Sequence, residues 1–278
     1  MTNAASLKQD RMALLLFVVL TVAFCTFAYV PMLTGDGFGA LGGYALPLLM
    51  WSPGLAGMVV SLAIHRSLAP LGLTGNERAP YWIVACLALP IFYALLLKSG
   101  LAYTGMIGLA SHSLATTLLF SGLFISLRTA LGEELGWRGF ASPVMTRVFG
   151  FWRGQTLLGI FWFLFHVPAL LGTSYGSSPH PYFGNFMFFL ACMALSYFLG
   201  WARLQSASVW PSALFHASHN LYFLHLFEPV EVRNAAASYL IGEQGLLCAF
   251  VQVALAAFTL WAWRRQTKHA GVERITGG

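Results

Sequence analysis

The sequence predicts an all-α polytopic membrane protein of about eight transmembrane helices with both termini cytoplasmic. Three observations lead there. Charged residues make up 9% of the 278 positions and hydrophobic residues 58%, whereas an ordinary soluble domain is about 25% charged. Mean hydropathy is +0.71. Apolar runs close to the roughly 20 residues that cross a hydrocarbon core recur along the chain.

The expected spans are 12–31, 42–64, 81–97, 113–141, 154–171, 182–202, 207–226 and 243–263. The first follows Lys8 and Arg11 as a secretory signal would, but it outruns a signal's apolar region and no small-residue cleavage site follows it. It is therefore read as a span. The fourth is long and the seventh is polar, and both owe this to the residues treated below. The connections are short and polar and no repeat is evident, so residues 1–278 read as a single transmembrane domain.

Orientation follows from the basic residues. With the N-terminus inside, the cytoplasmic side receives Lys8, Arg11, Arg66, Arg78, Arg147, Arg153, Arg203, Arg264, Arg265, Lys268 and Arg274. The outer side receives only Lys98 and Arg233, while Arg128 and Arg138 fall inside the fourth span. The net charge of +6 is thus mostly topology, with some attraction to anionic lipid, and implies no nucleic-acid partner. Cys25, Cys86, Cys192 and Cys248 fall in four different spans without metal-ligand or redox spacing, which points to small apolar packing residues.

Ionisable residues within spans are rare and usually face a cavity or a partner. Here they cluster. LGEELGWRGF carries Glu133, Glu134 and Arg138; FWFLFHVPAL carries His166; ALFHASHN carries His216, His219 and Asn220. Taking the fourth helix to end near Ser142-Pro143, because proline restricts the residue before it, Glu133 lies about 14 Å from the inner side, with His166 and His216 at about 18 and 15 Å. Glu134 and Arg138, four apart, share a face and can pair. His216 and Asn220 are likewise four apart, while Glu133 projects about 100° from Glu134. A carboxylate in a low-dielectric pocket can exchange a proton with a water held beside it. A facing imidazole can orient that water, and a second imidazole with an amide can donate to the oxyanion formed when water attacks an amide. Ser212 and Ser218 lie close by, but serine is common in membrane helix packing and no covalent nucleophile is required.

Glu133-Glu134-x-x-x-Arg138, then His166, then His216-x-x-x-Asn220 resembles the CAAX protease and bacteriocin-processing family (CPBP, or ABI) of glutamate intramembrane endopeptidases. That family includes the type II CAAX prenyl proteases, and its motifs are EExxxR, FxxxH and HxxxN or HxxxD. The likeness covers a core from about 113 to 226. It departs at Trp162, where the family usually has phenylalanine; altered packing with retained chemistry is expected. The resemblance implies that Glu133 is the general base, that His166 acts with it on water, and that His216 and Asn220 stabilise the oxyanion. Glu134 and Arg138 would pair and orient Glu133. His219 matches no family position and is read as polar packing, and Arg128 has no evident partner on its own helix.

The resemblance further implies a peptide or protein substrate, lipidated in some members, in contact with membrane lipid, and no cofactor. Zinc is the alternative, since glutamates and histidines can ligate it. Against it, no HExxH-type pair is present and an arginine stands one turn from Glu134. A non-enzymatic immunity or transport protein acting by binding is the other alternative, although transporter-like repeats are absent. The short, single-domain chain suggests a bacterial source, and with it the cytoplasmic membrane.

Overall fold

The computed structural model describes residues 4–34, 42–109, 116–173, 175, 178–221 and 230–276. Helix α1 is Ala4–Thr34, α2 is Gly42–Val60 and α3 is Ala79–Tyr103. Helix α4, Thr116–Glu134, runs through a π-helical turn, Leu135–Ala141, into the short α5, Ser142–Phe149. Helices α6 (Phe151–Gly172), α7 (Pro181–Ser206) and α8 (Trp210–Asn220) follow, then α9 (Ala237–Leu240) and α10 (Leu246–Thr276). One small ribbon pairs β1 (Ile107–Leu109) antiparallel to β2 (Val230–Val232), with Gly108 opposite Glu231.

Six of the described helical stretches are long and apolar enough to cross a membrane, so this is an integral membrane protein. The expected eight is not reached among the described residues. The two segments that fall short hold the polar residues: α4 carries Arg128, Glu133 and Glu134, and α8 has only 11 residues. Residues 113–115 and 222–226 of these segments lie outside the described residues, as do His112 and His225. Large apolar side chains such as Leu15, Phe27, Phe92, Phe124, Leu164 and Phe250 are exposed. Distributed over many helices in this way, they suit lipid contact rather than water.

Hydrocarbon gives no hydrophobic drive between helices, so close packing must hold them together. Helix α7 is the centre, with 61% of its most apolar window buried, against 22% for that of α3. The tightest crossing is that of α2 with α4 and the π-turn. A methyl group on Gly136 would lie 2.3 Å from the backbone of Pro53, and one on Gly54 would lie 2.3 Å from the carbonyl of Gly132. Trp51 clasps the crossing by donating to the Arg128 carbonyl at 3.0 Å. That bond uses the backbone of Arg128, whose side chain is exposed.

Pro143 does not end the fourth helix, contrary to the expectation. It stands in the first turn of α5, where its missing N–H is tolerated, and the break comes at Gly150, with φ of 78°. The π-turn keeps all seven of its residues buried, Trp137 and Arg138 among them. At this end of the bundle Arg147 pairs with Asp10 of α1, and Phe151 stacks on Trp263 of α10 at 4.0 Å. The first turns of α1 and the later part of α10 therefore flank the same end.

Candidate active site

A cavity of about 280 Å³ opens between α1, α2, α4, α6, α7, α8 and the turn before α10. Glu133, His166, His216 and Asn220 all line it. They come from the last turn of α4, from α6 and from α8, which the α2–α4 crossing and the packing of α7 hold together. Most of the rest of the lining is apolar, as with Leu49, Leu195, Phe188 and Phe215.

Glu133 is only 2% exposed. Its Oε2 accepts from Trp162 Nε1 at 2.8 Å and from Trp137 Nε1 at 3.2 Å. The ring of His166 approaches the same oxygen with Nε2 at 4.0 Å, a gap that one water can bridge. His166 Nδ1 lies 2.9 Å from the carbonyl of Trp162. A carbonyl only accepts, so Nδ1 carries a proton, and in the neutral ring Nε2 presents its lone pair toward Glu133.

Glu134, one residue on, faces a different region. Its Oε1 accepts from Arg138 at 2.8 Å and lies 3.0 Å from His216 Nδ1. Both Glu134 and Arg138 are fully buried. The Arg138 guanidinium also sits 4.0 Å over the ring of Trp162, a desolvated cation–π contact. The expected Glu134–Arg138 pair is therefore present; Glu134 also bonds to His216, and the pair reaches Glu133 only through Arg138 on Trp162. The 100° between successive residues sends the two carboxylates to different neighbours.

Trp162 is central. It donates to Glu133, carries Arg138 on its face and meets His166 and His216 edge-on at 6.2 and 5.8 Å. Phenylalanine has no N–H to make the first contact, so the exchange alters bonding as well as packing. Sequence reasoning had the residue in hand but no signal for where its N–H points. Ser212 and Ser218 donate to the carbonyls of Leu199 and Leu87, as packing serines do.

A second polar cluster faces the cavity, and the sequence reading missed most of it. His219, expected only to pack, lines the cavity with Nδ1 2.6 Å from Tyr93 Oη and Nε2 3.7 Å from Glu243 Oε1. Glu243 stands in the turn before α10, and Tyr175 donates to its Oε2 at 3.4 Å. Among the described residues, no three His, Cys, Asp or Glu side chains are grouped closely enough to hold a metal ion.

Residues 115–222 match the family model of the Type II CAAX prenyl endopeptidase Rce1-like proteins. Over that core the chain is similar to the CAAX protease (CPBP) family. Its similarity to CAAX prenyl protease 2 of Methanococcus maripaludis is 30% identity over 103 residues. The match covers 36% of this chain and 38% of that relative, so it spans well under half of either protein. All six family-motif positions fall within the matched residues. Tyr93 and Glu243 of the second cluster lie outside them.

Proposed function

We propose that the protein is an intramembrane endopeptidase that hydrolyses a peptide bond of a membrane-associated or lipidated peptide with water activated by Glu133. The observation that carries this reading is the pairing, in a largely apolar cavity, of a carboxylate held on one oxygen by two indole N–H groups with an imidazole whose lone pair faces it.

A water bridging Glu133 and His166 Nε2 gives one proton to Glu133 as its oxygen attacks the substrate carbonyl carbon. Neither indole is an acid, so both leave the carboxylate able to accept that proton. The carbonyl oxygen becomes an oxyanion, stabilised by the Asn220 amide and by His216 Nε2–H. An imidazole that donates Nδ1–H to Glu134 and Nε2–H to the oxyanion carries both protons, and Glu134 supplies the countercharge. When the C–N bond breaks, Glu133 returns its proton to the departing nitrogen, leaving an acid and an amine. Arg138 neutralises Glu134 and, through its contact with Trp162, helps hold the indole that fixes Glu133. The cavity's apolar lining suits an extended apolar peptide or a lipid chain, and the basic helix ends favour the cytoplasmic membrane with both termini inside.

The test is turnover of fluorogenic peptides, prenylated and unmodified, by detergent-purified protein, with Glu133→Gln beside wild type and a chelator arm on each. The expected result is turnover lost in Glu133→Gln and unchanged by chelator. Loss with chelator, restored by zinc, would move Glu133 and the histidines to a metal site. Equal inertness of both proteins would overturn the hydrolase reading in favour of binding.

A further inference from the structure

Glu243 sits in a cavity whose described lining contains no lysine or arginine. Among the described residues its two side-chain contacts are long, 3.4 Å from Tyr175 Oη and 3.7 Å from His219 Nε2, where a charged hydrogen bond closes to about 2.7–2.9 Å. An ionised carboxylate has room for about four donors, so most of its accepting capacity faces the cavity.

A second polar residue lines the same cavity. Gln252, on α10, also lines the cavity and is 1% exposed, and its Oε1 has no hydrogen-bond partner among the described residues. Its Nε2 is turned away, toward Cys248 Sγ at 3.2 Å. Tyr93 bonds to His219 at 2.6 Å and also reaches Gln252. The Glu243 side chain is 17% exposed within the cavity, and its remaining lone pairs suit a donor that also brings positive charge.

We propose that Glu243 forms a subsite for a cationic group of the substrate, an ammonium or guanidinium, backed by Tyr175, His219 and, behind them, Gln252. The inference rests on the endopeptidase reading and adds the substrate class: an apolar peptide bearing a basic residue close to the cleaved bond. His219 and His216 are three apart on α8, so the histidine beside Glu243 lies about one helical turn, about 5 Å, from the histidine assigned to the oxyanion. Tyr175, the donor to Glu243, also stacks on His166 with ring centres 6.2 Å apart. A lysine or arginine at or next to the residues flanking the scissile bond therefore reaches the Glu243 carboxylate while its carbonyl lies at Glu133. The remaining wall around Glu243 is apolar, so it favours the aliphatic stem of such a side chain and rejects a second charge.

The experiment uses one apolar peptide scaffold carrying lysine, arginine, norleucine, Nε-acetyl-lysine or glutamate at the flanking position, each with a free and an acetylated N-terminus. Turnover is measured for wild type, Glu243→Gln and Glu243→Lys. Binding of the same peptides to Glu133→Gln is followed by fluorescence anisotropy. Wild type should prefer lysine and arginine over norleucine by at least about tenfold in kcat/KM, as expected for a buried charge contact. That ratio should collapse in Glu243→Gln and invert toward glutamate in Glu243→Lys. A preference that follows the free N-terminus instead would assign the subsite to an α-amine.

Norleucine handled as well as lysine by wild type, in turnover and in binding, would overturn the subsite. So would an undiminished lysine preference in Glu243→Gln. Should no peptide be turned over while Glu133→Gln still binds lysine peptides over norleucine, the subsite stands and the endopeptidase reading falls. The wild-type series and the Glu133→Gln binding arm decide the matter even if both Glu243 variants fail to fold.

Discussion

Glu133 and Glu134 leave the same turn of helix and enter two regions built on opposite principles. Glu133 faces a cavity, and its donors are neutral: two indole N–H groups on one oxygen, with a histidine lone pair near it. Glu134 lies behind that wall, fully buried, with a guanidinium and an imidazole on its Oε1. Neutral donors hold a carboxylate in place without supplying a compensating charge. Cationic donors hold it and cancel it. One surrounding suits a group that must take and return a proton, and the other a group that must stay ionised and position its neighbours.

Substitutions can break this contrast, and the largest effect falls on Glu133. Glu133→Gln keeps the shape and loses the base, so turnover should fall by about 10²–10⁴-fold while the thermal unfolding midpoint in detergent stays near that of wild type. Glu134→Gln leaves the base in place, so it should spare more turnover and lower the midpoint further. The reverse pattern would exchange the two roles.

Next is Arg138→Met, which strands a buried carboxylate and should destabilise the fold by about 3–5 kcal/mol. Adding Glu134→Met removes the stranded charge and should recover much of that in the same melting assay. A double variant no more stable than the single would show that the pair does not act as a unit.

Trp162→Phe sharpens the comparison. It installs the phenylalanine usual in the family and deletes one neutral donor to Glu133. A hydrogen bond to a charged group contributes about 1.5–3 kcal/mol, so kcat should drop about 10- to 100-fold with KM little changed. An equal drop with KM raised would instead mean that the indole shapes the substrate groove.

The smallest effect belongs to the pair at the basic end of the bundle. Asp10 raises Arg147 above its ordinary value by hydrogen bonding to its guanidinium, against the opposing effect of burial. Yet the Arg147 side chain is 42% exposed, and partly solvated pairs contribute about 1 kcal/mol or less. Arg147→Gln should shift the melting midpoint only slightly and leave turnover as it was.

Legibility in the sequence followed the cost of placing each residue. A carboxylate, an arginine and two histidines inside apolar spans demand partners, so their order and spacing could be read directly, and Glu133, His166, His216 and Asn220 do line one cavity. Glu243 carries the same charge but stands at the edge of its span, where charges are ordinary, and nothing local marked it. The tryptophan donors were hidden for another reason. Each ring is as apolar as its neighbours, and only its orientation makes it polar.

By itself, the sequence determined that this chain lives in a membrane, which residues within it need company, and that Glu134 and Arg138 can meet along one helix. These follow from transfer energies and helical periodicity, both of which are local. Only the tertiary structure decided which glutamate faces the cavity and which is sealed, that Glu134 serves His216, and that Trp162 joins both regions. It also brought Glu243 and Gln252 to the wall shared with His219. Those outcomes depend on the π-turn after Glu134 and on how closely glycines let α2 and α4 approach. Both are fixed by contacts between helices, which no single helix carries in its own pattern.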